Sequence, residues 1–243
     1  MRKFIKRLLR SCLGIVAINQ NHYLVRYIHH PSFTPFDEVL LRSFPKLDGL
    51  SFVQIGANDG KRFDPISPLI KHYSWHGVMV EPDPTYFAAL QQLYGKKPRL
   101  KLLNAALAAS CGEMPLYVIG PDIPNLPDWT QGLGSLKRER LLTAAKDLGL
   151  SEDAIAQKTV KTITWNEVFI ALGGKTPDVL VLDTEGYDLI LLRLAELSKH
   201  RPKVILFEHS CVTPSERLSF YGDLIGLGYE IRSVGTDTIA HFP

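Results

Sequence analysis

The chain has 243 residues, of which 45% are hydrophobic and 22% are charged, enough material for one substantial hydrophobic core. Its formal net charge of +3 is too small to indicate a nucleic-acid-binding protein, so we expect no nucleic-acid partner. The cysteines Cys12, Cys111 and Cys211 are far apart and form no CxxC pair. They argue against a disulfide framework or a zinc knuckle and indicate free thiols in a reducing compartment, that is, a cytoplasmic location.

The N-terminal segment is basic and then apolar. Residues 1–10 are rich in Lys and Arg, and an apolar run follows from Leu13 to Ile18. This run is too short to span a bilayer, which takes roughly 20 apolar residues, and no small-residue cleavage site follows it. Residues 1–20 therefore form either a helix lying peripherally on an anionic membrane or an ordinary helix with a solvated cationic face. We assign residues 1–48 to a helical N-terminal extension.

From residue 49 onwards the sequence predicts one α/β domain, residues 49–243. Short apolar runs predict buried strands, and helical patterns alternate with them. The predicted strands are 52–55, 77–80, 100–103, 178–182 and 203–207, and the predicted helices are 65–74, 84–94, 187–198 and 214–226. This alternation is typical of a doubly wound, mainly parallel sheet with helices on both faces.

Residues 110–165 interrupt the alternation. They contain a predicted strand at 115–119, a proline-rich loop, a helical stretch at 136–149, and a strand at 159–163 that we expect to return the chain to the main sheet. An insertion of this length is a good candidate for a substrate lid. Within it, residues 132–135 form either a mobile part of the lid or an ordinary loop before a helix. At the C-terminus, residues 229–234 and 238–242 predict a hairpin.

Polar residues or glycine end four of the predicted strands. These residues are Gly56, Glu81, Asp183 and Glu208. In open α/β sheets, ligands bind outside the carboxyl ends of the strands, at the point where the strand order reverses. Because buried carboxylates are costly unless they are used, their collection at one edge predicts a functional site there.

The loop after the first strand, residues 54–60, is glycine-rich but differs from a dinucleotide-binding fingerprint. In GxGxxG the second glycine lets the backbone approach a pyrophosphate, and here that position is Asn58. The loop therefore favours S-adenosylmethionine, which has no phosphate, over NAD. A GxxxG spacing also occurs in purely structural turns. Glu81 strengthens the cofactor interpretation, because an acid at the end of the second strand can accept both ribose hydroxyls.

The runs FVQIGANDG, EPDP, LDTEGYD and FEHS occur in this order and together resemble the FkbM-type methyltransferases over roughly residues 50–230. The resemblance implies a class I, Rossmann-like methyltransferase with a seven-stranded sheet and an antiparallel C-terminal strand. It also implies methyl transfer from S-adenosylmethionine to oxygen, often a sugar hydroxyl. Many members have an acid at the position of Gln54 that helps to hold the amino-acid end of the cofactor. Here that contact must be made differently, or by the amide.

The resemblance also implies roles for individual residues. The predicted cofactor contacts are Gln54, Gly56, Ala57, Asn58 and Gly60, with Glu81 on the ribose and Asn104 and Ala105 near the adenine. Asp183, Glu185 and Gly186 fall in the D-x-E-G motif at the floor of the active site. Asp59 and Asp64 are interpreted as helix-start and loop residues.

Methyl transfer to a hydroxyl needs a base or a metal, because an aliphatic hydroxyl is a poor nucleophile until it loses its proton. We predict His209 or Asp183 as the base, with Glu185 and Glu208 orienting the acceptor. His209 could instead be a structural hydrogen-bonding residue. Asp183, Glu185 and Glu208 could hold Mg²⁺, but their spacing does not require it, so we predict no metal.

Two other functions remain open at this point. One is a nicotinamide-dependent oxidoreductase on the same type of sheet, which Asn58 disfavours. The other is a non-catalytic, membrane-associated binding module, which the acidic edge disfavours. The methyl acceptor could be a sugar, a lipid-linked glycan, a polyketide hydroxyl or a small alcohol, and the sequence does not predict the oligomeric state.

Overall fold

The computed structural model describes residues 34–120 and 123–242. Its main sheet has seven strands. In chain order they are β1 (Ser51–Ile55), β2 (His76–Val80), β3 (Leu100–Leu103), β8 (Val179–Leu182), β9 (Val204–Glu208), β10 (Glu230–Val234) and β11 (Asp237–His241), and β4 to β7 belong to a second sheet described below. The order across the sheet is β10-β11-β9-β8-β1-β2-β3.

The pairing confirms the predicted doubly wound sheet. β1 lies parallel between β2 and β8, β3 extends the sheet beyond β2, and β9 follows β8 in parallel. β11 is antiparallel to both β9 and β10, so the antiparallel C-terminal strand is confirmed as well. The strand order reverses between β1 and β8, which is where a ligand is expected in such a sheet.

Helices cover both faces of the main sheet. The described helices are α1 (Pro35–Ser43), α2 (Ser67–His72), α3 (Pro84–Tyr94), α4 (Arg138–Asp147), α5 (Trp165–Ala171), α6 (Asp188–Leu194) and α7 (Pro214–Gly226). One hydrophobic cluster joins alternate strand residues to α1, α2 and α3, and the other joins the intervening residues to α5, α6 and α7. Because both faces are buried, the central strands β1, β2, β8 and β9 are mostly apolar.

Three of these helices begin at threonine. Thr34, Thr164 and Thr213 each accept a hydrogen bond from the helix backbone, and an acid three positions later bonds back to the threonine backbone N–H. This reciprocal arrangement satisfies N–H groups that a helix end otherwise leaves free. α5 is absent from the sequence-based expectations, although its threonine and Glu167 form this signal.

The N-terminal extension contributes to the main core. Phe36, Val39, Leu40 and Leu41 of α1 are buried in the cluster that includes the sheet residues Phe52 and Met79. The part of the extension from residue 35 onwards is therefore packed into the α/β domain. The predicted basic helix, residues 1–20, lies outside the described residues. None of the helices that the structure describes has both the length and the apolar character needed to cross a membrane.

Residues 106–163 form a smaller second sheet. Its strands are β4 (Ala106–Leu107), β5 (Gly112–Ile119), β6 (Gly134–Ser135) and β7 (Ile155–Ile163), in the order β4-β7-β5-β6. The expectation that residues 159–163 rejoin the main sheet is wrong. β7 instead pairs antiparallel with β5 along its whole length, from Gly112–Thr162 to Ile119–Ile155, because this long hairpin-like pairing satisfies its backbone N–H and C=O groups locally.

Candidate active site

A cavity of about 520 Å³ opens at the carboxyl edge of the main sheet, a size within the usual range of ligand pockets. The residues that line it come from the ends of β1, β2, β8 and β9 and from the second sheet. Of the predicted site residues, those in the lining are Gln54, Gly56, Ala57, Asn58, Glu81, Ala105, Asp183, Glu185 and Glu208. The structure thus brings together side chains spread over 155 positions of the chain, from 54 to 208.

Gly56 allows the ends of β1 and β8 to meet. It has a φ of +80°, and a Cβ built on it would lie 1.8 Å from the backbone oxygen of Asp183. No other residue fits this contact without moving the backbone. The glycine therefore fixes the position of Asp183 relative to the loop, which is a structural reason for the first glycine of GxxxG.

Glu81 follows β2 and turns its carboxylate back onto the loop after β1. Its Oε2 accepts from the Asn58 backbone N–H at 2.8 Å, and its Oε1 accepts from the Asp83 N–H at 2.8 Å. Burial raises the pKa of Glu81 to about 7, against the effect of these hydrogen bonds. Glu81 is thus a buried carboxylate, fixed in orientation at the rim of the cavity, as a ribose-binding acid requires.

Gln54 and Asp64 lie side by side in the cavity wall. Gln54 Nε2 donates to Asp64 Oδ1 at 3.3 Å, and both residues line the cavity. Asp64 Oδ1 also accepts from the backbone N–H groups of Ile66 and Ser67, so the predicted helix-start role of Asp64 is only part of its environment. Burial raises the pKa of Asp64 to about 6.

The acids at the floor of the cavity follow β8 and β9. Asp183 comes directly after β8, and Glu208 ends the neighbouring strand β9. Asp183 is accessible from the cavity but is otherwise surrounded by protein, and desolvation, with Glu185 as the next largest cause, raises its pKa well above the usual value. Burial, together with the charge of Glu208, also raises the pKa of Glu185. A carboxylate with a raised pKa is a better base than an ordinary one.

Asp188 shapes the turn that carries Asp183 and Glu185. It is buried, and its carboxylate accepts from the Thr184 hydroxyl at 2.9 Å and from the Gly186 backbone N–H at 3.3 Å. Burial raises the pKa of Asp188 to about 7. The residue was expected only as part of a helix start, and the structure makes it the internal support of the D-x-E-G turn.

His209 lies outside the cavity lining. Its ring is buried, its Nδ1 lies 2.9 Å from the hydroxyl of Thr238 on β11, and burial together with Arg217 lowers its pKa. The alternative interpretation, a structural hydrogen-bonding residue, describes this geometry. The prediction of His209 as the base is not supported by its position, because a base must reach the proton that it removes.

Gly60 and Asn104 are the other predicted site residues outside the lining. Gly60 packs against α3, where an added Cβ would lie 2.6 Å from Leu90 Cδ1. Asn104 donates to the backbone oxygens of Glu81 and Pro82 at 2.9 and 3.2 Å. Both residues therefore support the site: Gly60 brings the loop close to α3, and Asn104 braces the turn that holds Glu81.

The second sheet and its helix are attached to the site by polar contacts. Ser135 Oγ donates to the backbone oxygen of Glu185 at 2.8 Å, and Arg140 Nη2 pairs with Glu185 Oε2 at 2.7 Å. Lys158 Nζ pairs with Asp83 Oδ2 at 2.6 Å. These contacts hold residues 106–163 over the cavity, where the sequence predicted a substrate lid.

Glu185, Glu208 and Cys211 form a group whose ligand atoms all lie within 4.8 Å of one another. This set suits Mg²⁺ poorly, because Mg²⁺ prefers oxygen ligands while one member is a thiol and Glu185 is already paired with Arg140. We therefore derive no catalytic step through a metal.

Several lining residues were not predicted. Exposed aromatic side chains, Phe63 at 76% and Trp129 at 47%, lie in the lining together with Asp237 of the C-terminal hairpin. Phe63 also has a φ of +53°, an uncommon backbone conformation for a bulky side chain. Nothing in the local sequence pattern marks these residues, because the fold alone brings their loops to the cavity.

Comparisons with known proteins agree with this geometry. The family model described as the methyltransferase FkbM domain matches residues 54–230. No curated protein matches the sequence. Among solved structures, the methyltransferase FkbM from Methylobacillus flagellatus KT has a TM-score of 0.52 at 14% identity, covering 89% of this chain and 50% of that one. The chain thus spans about half the length of that protein.

Two further solved structures are more distantly similar. Precorrin-6y C5,15-methyltransferase from Geobacter metallireducens GS-15 has a TM-score of 0.42 at 10% identity, with 93% of this chain and 92% of that chain covered. Aeropyrum pernix fibrillarin, solved with natively bound S-adenosyl-L-methionine, has a TM-score of 0.40 at 11% identity, with 84% and 73% covered.

The family match and the fold agree. The sheet has the order and the antiparallel C-terminal strand expected for a class I, Rossmann-like methyltransferase, and the structure of a FkbM methyltransferase shares this fold. The family match covers most of the chain, from the end of β1 to the start of β10. The chain therefore belongs to the FkbM methyltransferase family.

Proposed function

We propose that the protein transfers a methyl group from S-adenosylmethionine to a hydroxyl group of an uncharged, sugar-type acceptor. The observation that carries this proposal is the position of Asp183, which directly follows β8 and lines the same cavity as Glu81. In this proposal the cofactor-binding acid, Glu81, and the catalytic base, Asp183, therefore line the same cavity.

The lining residues fit the cofactor. Glu81 presents a buried, oriented carboxylate for the ribose hydroxyls, and Ala105, Leu107 and Leu116 provide an apolar wall for the adenine. Gln54 and Asp64 present acceptor atoms in the same cavity. When bound, S-adenosylmethionine would supply an electrophilic methyl group on a positively charged sulfur.

The protein's own contribution is to position the acceptor and to remove its proton. In this proposal, Asp183 accepts the hydroxyl proton at a carboxylate oxygen, and its raised pKa makes it a stronger base than an ordinary aspartate. Glu208 accepts a hydrogen bond from the methyl acceptor and so orients it. Glu185, which has the same role, is itself oriented by its ion pair with Arg140. Much of the rate enhancement then comes from holding the hydroxyl in line with the methyl group.

The charge of the lining argues for an uncharged acceptor. The acidic lining residues are Asp64, Glu81, Asp83, Asp183, Glu185, Glu208 and Asp237, whereas Arg62 is the one basic residue among the described residues of the lining. An anionic acceptor would be repelled at this floor. The exposed rings of Phe63 and Trp129 offer flat apolar surfaces on which a sugar ring can pack.

The test is a methylation assay with radiolabelled S-adenosylmethionine and matched pairs of neutral glycosides and uronic acids. We expect methyl incorporation into neutral glycosides, and a loss of roughly 10²- to 10⁴-fold in Asp183→Asn, the usual range for removal of a general base. Preference for the uronic acids, or full activity of Asp183→Asn, would refute the proposed acceptor class or the proposed base, respectively.

A further inference from the structure

Two buried acceptor atoms in the cavity wall have no hydrogen-bond partner. Among the described residues, the buried side-chain polar atoms without a partner are Ser43 Oγ, Gln54 Oε1 and Asp64 Oδ2. The last two belong to side chains that are hydrogen-bonded to each other and that both line the cavity. Since buried polar atoms are nearly always satisfied, two unpartnered acceptors at one place indicate a missing donor.

The orientation of Asp64 is fixed by its other oxygen. Oδ1 accepts from the backbone N–H groups of Ile66 at 2.9 Å and Ser67 at 3.1 Å, and from Gln54 Nε2 at 3.3 Å. The carboxylate therefore cannot rotate to satisfy Oδ2 without breaking these bonds. Gln54 is similarly held, because its amide nitrogen donates a hydrogen bond to Asp64. Its carbonyl oxygen has no hydrogen-bond partner.

The missing donor should carry positive charge. Asp64 is half-buried with its Oδ2 shielded from solvent, and the nearby carboxylate of Asp59 adds to the cost of its ionised form. Arg62, in the same loop, is engaged by Asp59 at 2.8 Å. A cationic ligand group with several N–H donors would satisfy both unpartnered acceptors and balance the charge of Asp64.

We propose that Gln54 Oε1 and Asp64 Oδ2 together bind the α-ammonium group of S-adenosylmethionine. This inference rests on the proposed function and extends it, because it assigns to Asp64 the acidic contact that Gln54 cannot make. The Gln54 amide thus shares this contact with a carboxylate ten positions later in the chain, to which it is hydrogen-bonded. The cofactor's amino-acid end then lies against the loop between β1 and α2.

The test compares two cofactor analogues by isothermal titration calorimetry. S-Adenosylhomocysteine carries the amino-acid end, whereas 5′-methylthioadenosine keeps the adenosine and the thioether but lacks it. We expect Asp64→Asn to weaken S-adenosylhomocysteine binding roughly 10- to 100-fold, the loss expected for one charged hydrogen-bond partner. Binding of 5′-methylthioadenosine should change by less than about twofold, since it makes no contact with Asp64.

Two further variants separate binding from structure. Gln54→Leu, which removes the second acceptor, should also weaken S-adenosylhomocysteine selectively. Asp223→Asn changes an exposed acid on α7 that lies outside the cavity lining and should leave the ratio of the two affinities unchanged. Thermal unfolding without ligand should show Asp64→Asn to be no less stable than the wild type, because it removes a buried charge and keeps the acceptor for Ile66 and Ser67.

The outcomes are distinct. An equal loss of both analogues in Asp64→Asn and Gln54→Leu, or no loss of either, would overturn the assignment while leaving the proposed function intact. Failure of the wild-type protein to bind either analogue would refute the proposed function, and the assignment with it.

Discussion

Asp183 extends its carboxyl group into a cavity floor that already holds other acids. Desolvation, followed by the charges of Glu185 and Asp188, raises its pKa well above the ordinary aspartate range. As the proposed base it works only when deprotonated, so turnover should fall as the pH drops through this raised pKa. Because the acids interact, the profile will report the group rather than one residue.

The pH dependence of Asp183 is measured from initial rates between pH 5 and 9 with saturating S-adenosylmethionine. We expect the wild-type rate to rise with pH across a range well above that of a free aspartate. Asp183→Asn should be slower throughout and should lose this rise. A rate that does not change over the whole range would contradict the assignment.

Asp188 should matter for stability as much as for activity. Asp188→Ala removes the acceptor for the Thr184 hydroxyl and the Gly186 N–H, so we expect the free energy of unfolding to fall by about 1–3 kcal/mol. Urea denaturation measures the change. The matched control is Asp223→Ala, an exposed aspartate on α7, which should stay within about 0.5 kcal/mol of the wild type. Equal stability of the two variants would remove Asp188 from its supporting role.

At the scale of elements, the loop before β6 lies directly against the loop after β1. Gly132 has a φ of +91°, and a Cβ there would lie 1.9 Å from Asn58 Nδ2. Gly132→Ala should therefore push the loop before β6 away from the cavity and reduce kcat/KM by at least about tenfold, through a misplaced acceptor.

The control for Gly132→Ala is Gly149→Ala, at the end of α4. Gly149 also has a positive φ, +69°, but nothing lies within 4 Å of its added Cβ. Gly149→Ala therefore measures the effect of backbone strain alone, without a steric clash between the new Cβ and a neighbouring atom. Equal kinetic effects in the two variants would show that contact with Asn58 is unimportant, and kcat/KM measured at one temperature for both decides between the alternatives.

The sequence predicted best the strands of the parallel sheet, because each of them and its neighbours have the same apolar pattern. β1, β2, β8 and β9 are largely apolar runs. The carboxyl ends of parallel strands lie at one edge of the sheet, so the acids at these ends, Glu81, Asp183 and Glu208, can be placed together without any knowledge of distant contacts. β7 was assigned to the wrong sheet because the residues of a strand do not specify its partner. Only its pairing with β5 places it in the second sheet.

The same distinction explains which residues of the candidate site could be predicted from the sequence. Residues next to strand ends were predictable, whereas Asp64, Trp129 and Asp237 reach the cavity through the folding of loops and hairpins. His209 shows the converse: it follows a strand end directly, yet its ring faces Thr238 on β11. The position of a residue along the chain predicts that it lies at the carboxyl edge of the sheet. It does not predict whether its side chain points into the cavity.

At the scale of the whole molecule, the described residues include several buried or half-buried acids, and these affect the stability of the fold. Burial raises the pKa values of Asp64 and Asp237 to about 6 and those of Glu81 and Asp188 to about 7. Between roughly pH 4 and 7 the folded protein therefore binds more protons than the unfolded chain, so the free energy of unfolding falls as the pH rises. His209, with its lowered pKa, acts in the opposite direction and offsets part of the effect.

Thermal unfolding without ligand measures this effect directly. We expect a lower Tm at pH 7.5 than at pH 5.5 at the same ionic strength, and a smaller difference in a variant carrying Asp64→Asn. A Tm that rises over this interval would show that these acids are not buried as the structure places them.

The central claim is that the edge formed by Glu81, Gln54 and Asp183 binds a sulfonium cofactor and not a dinucleotide. Isothermal titration calorimetry of the whole chain with S-adenosylhomocysteine, and separately with NAD, tests it most directly. The account predicts binding of one S-adenosylhomocysteine per chain, weakened by Glu81→Gln, and no measurable heat with NAD. Saturable NAD binding with no response to S-adenosylhomocysteine would contradict it.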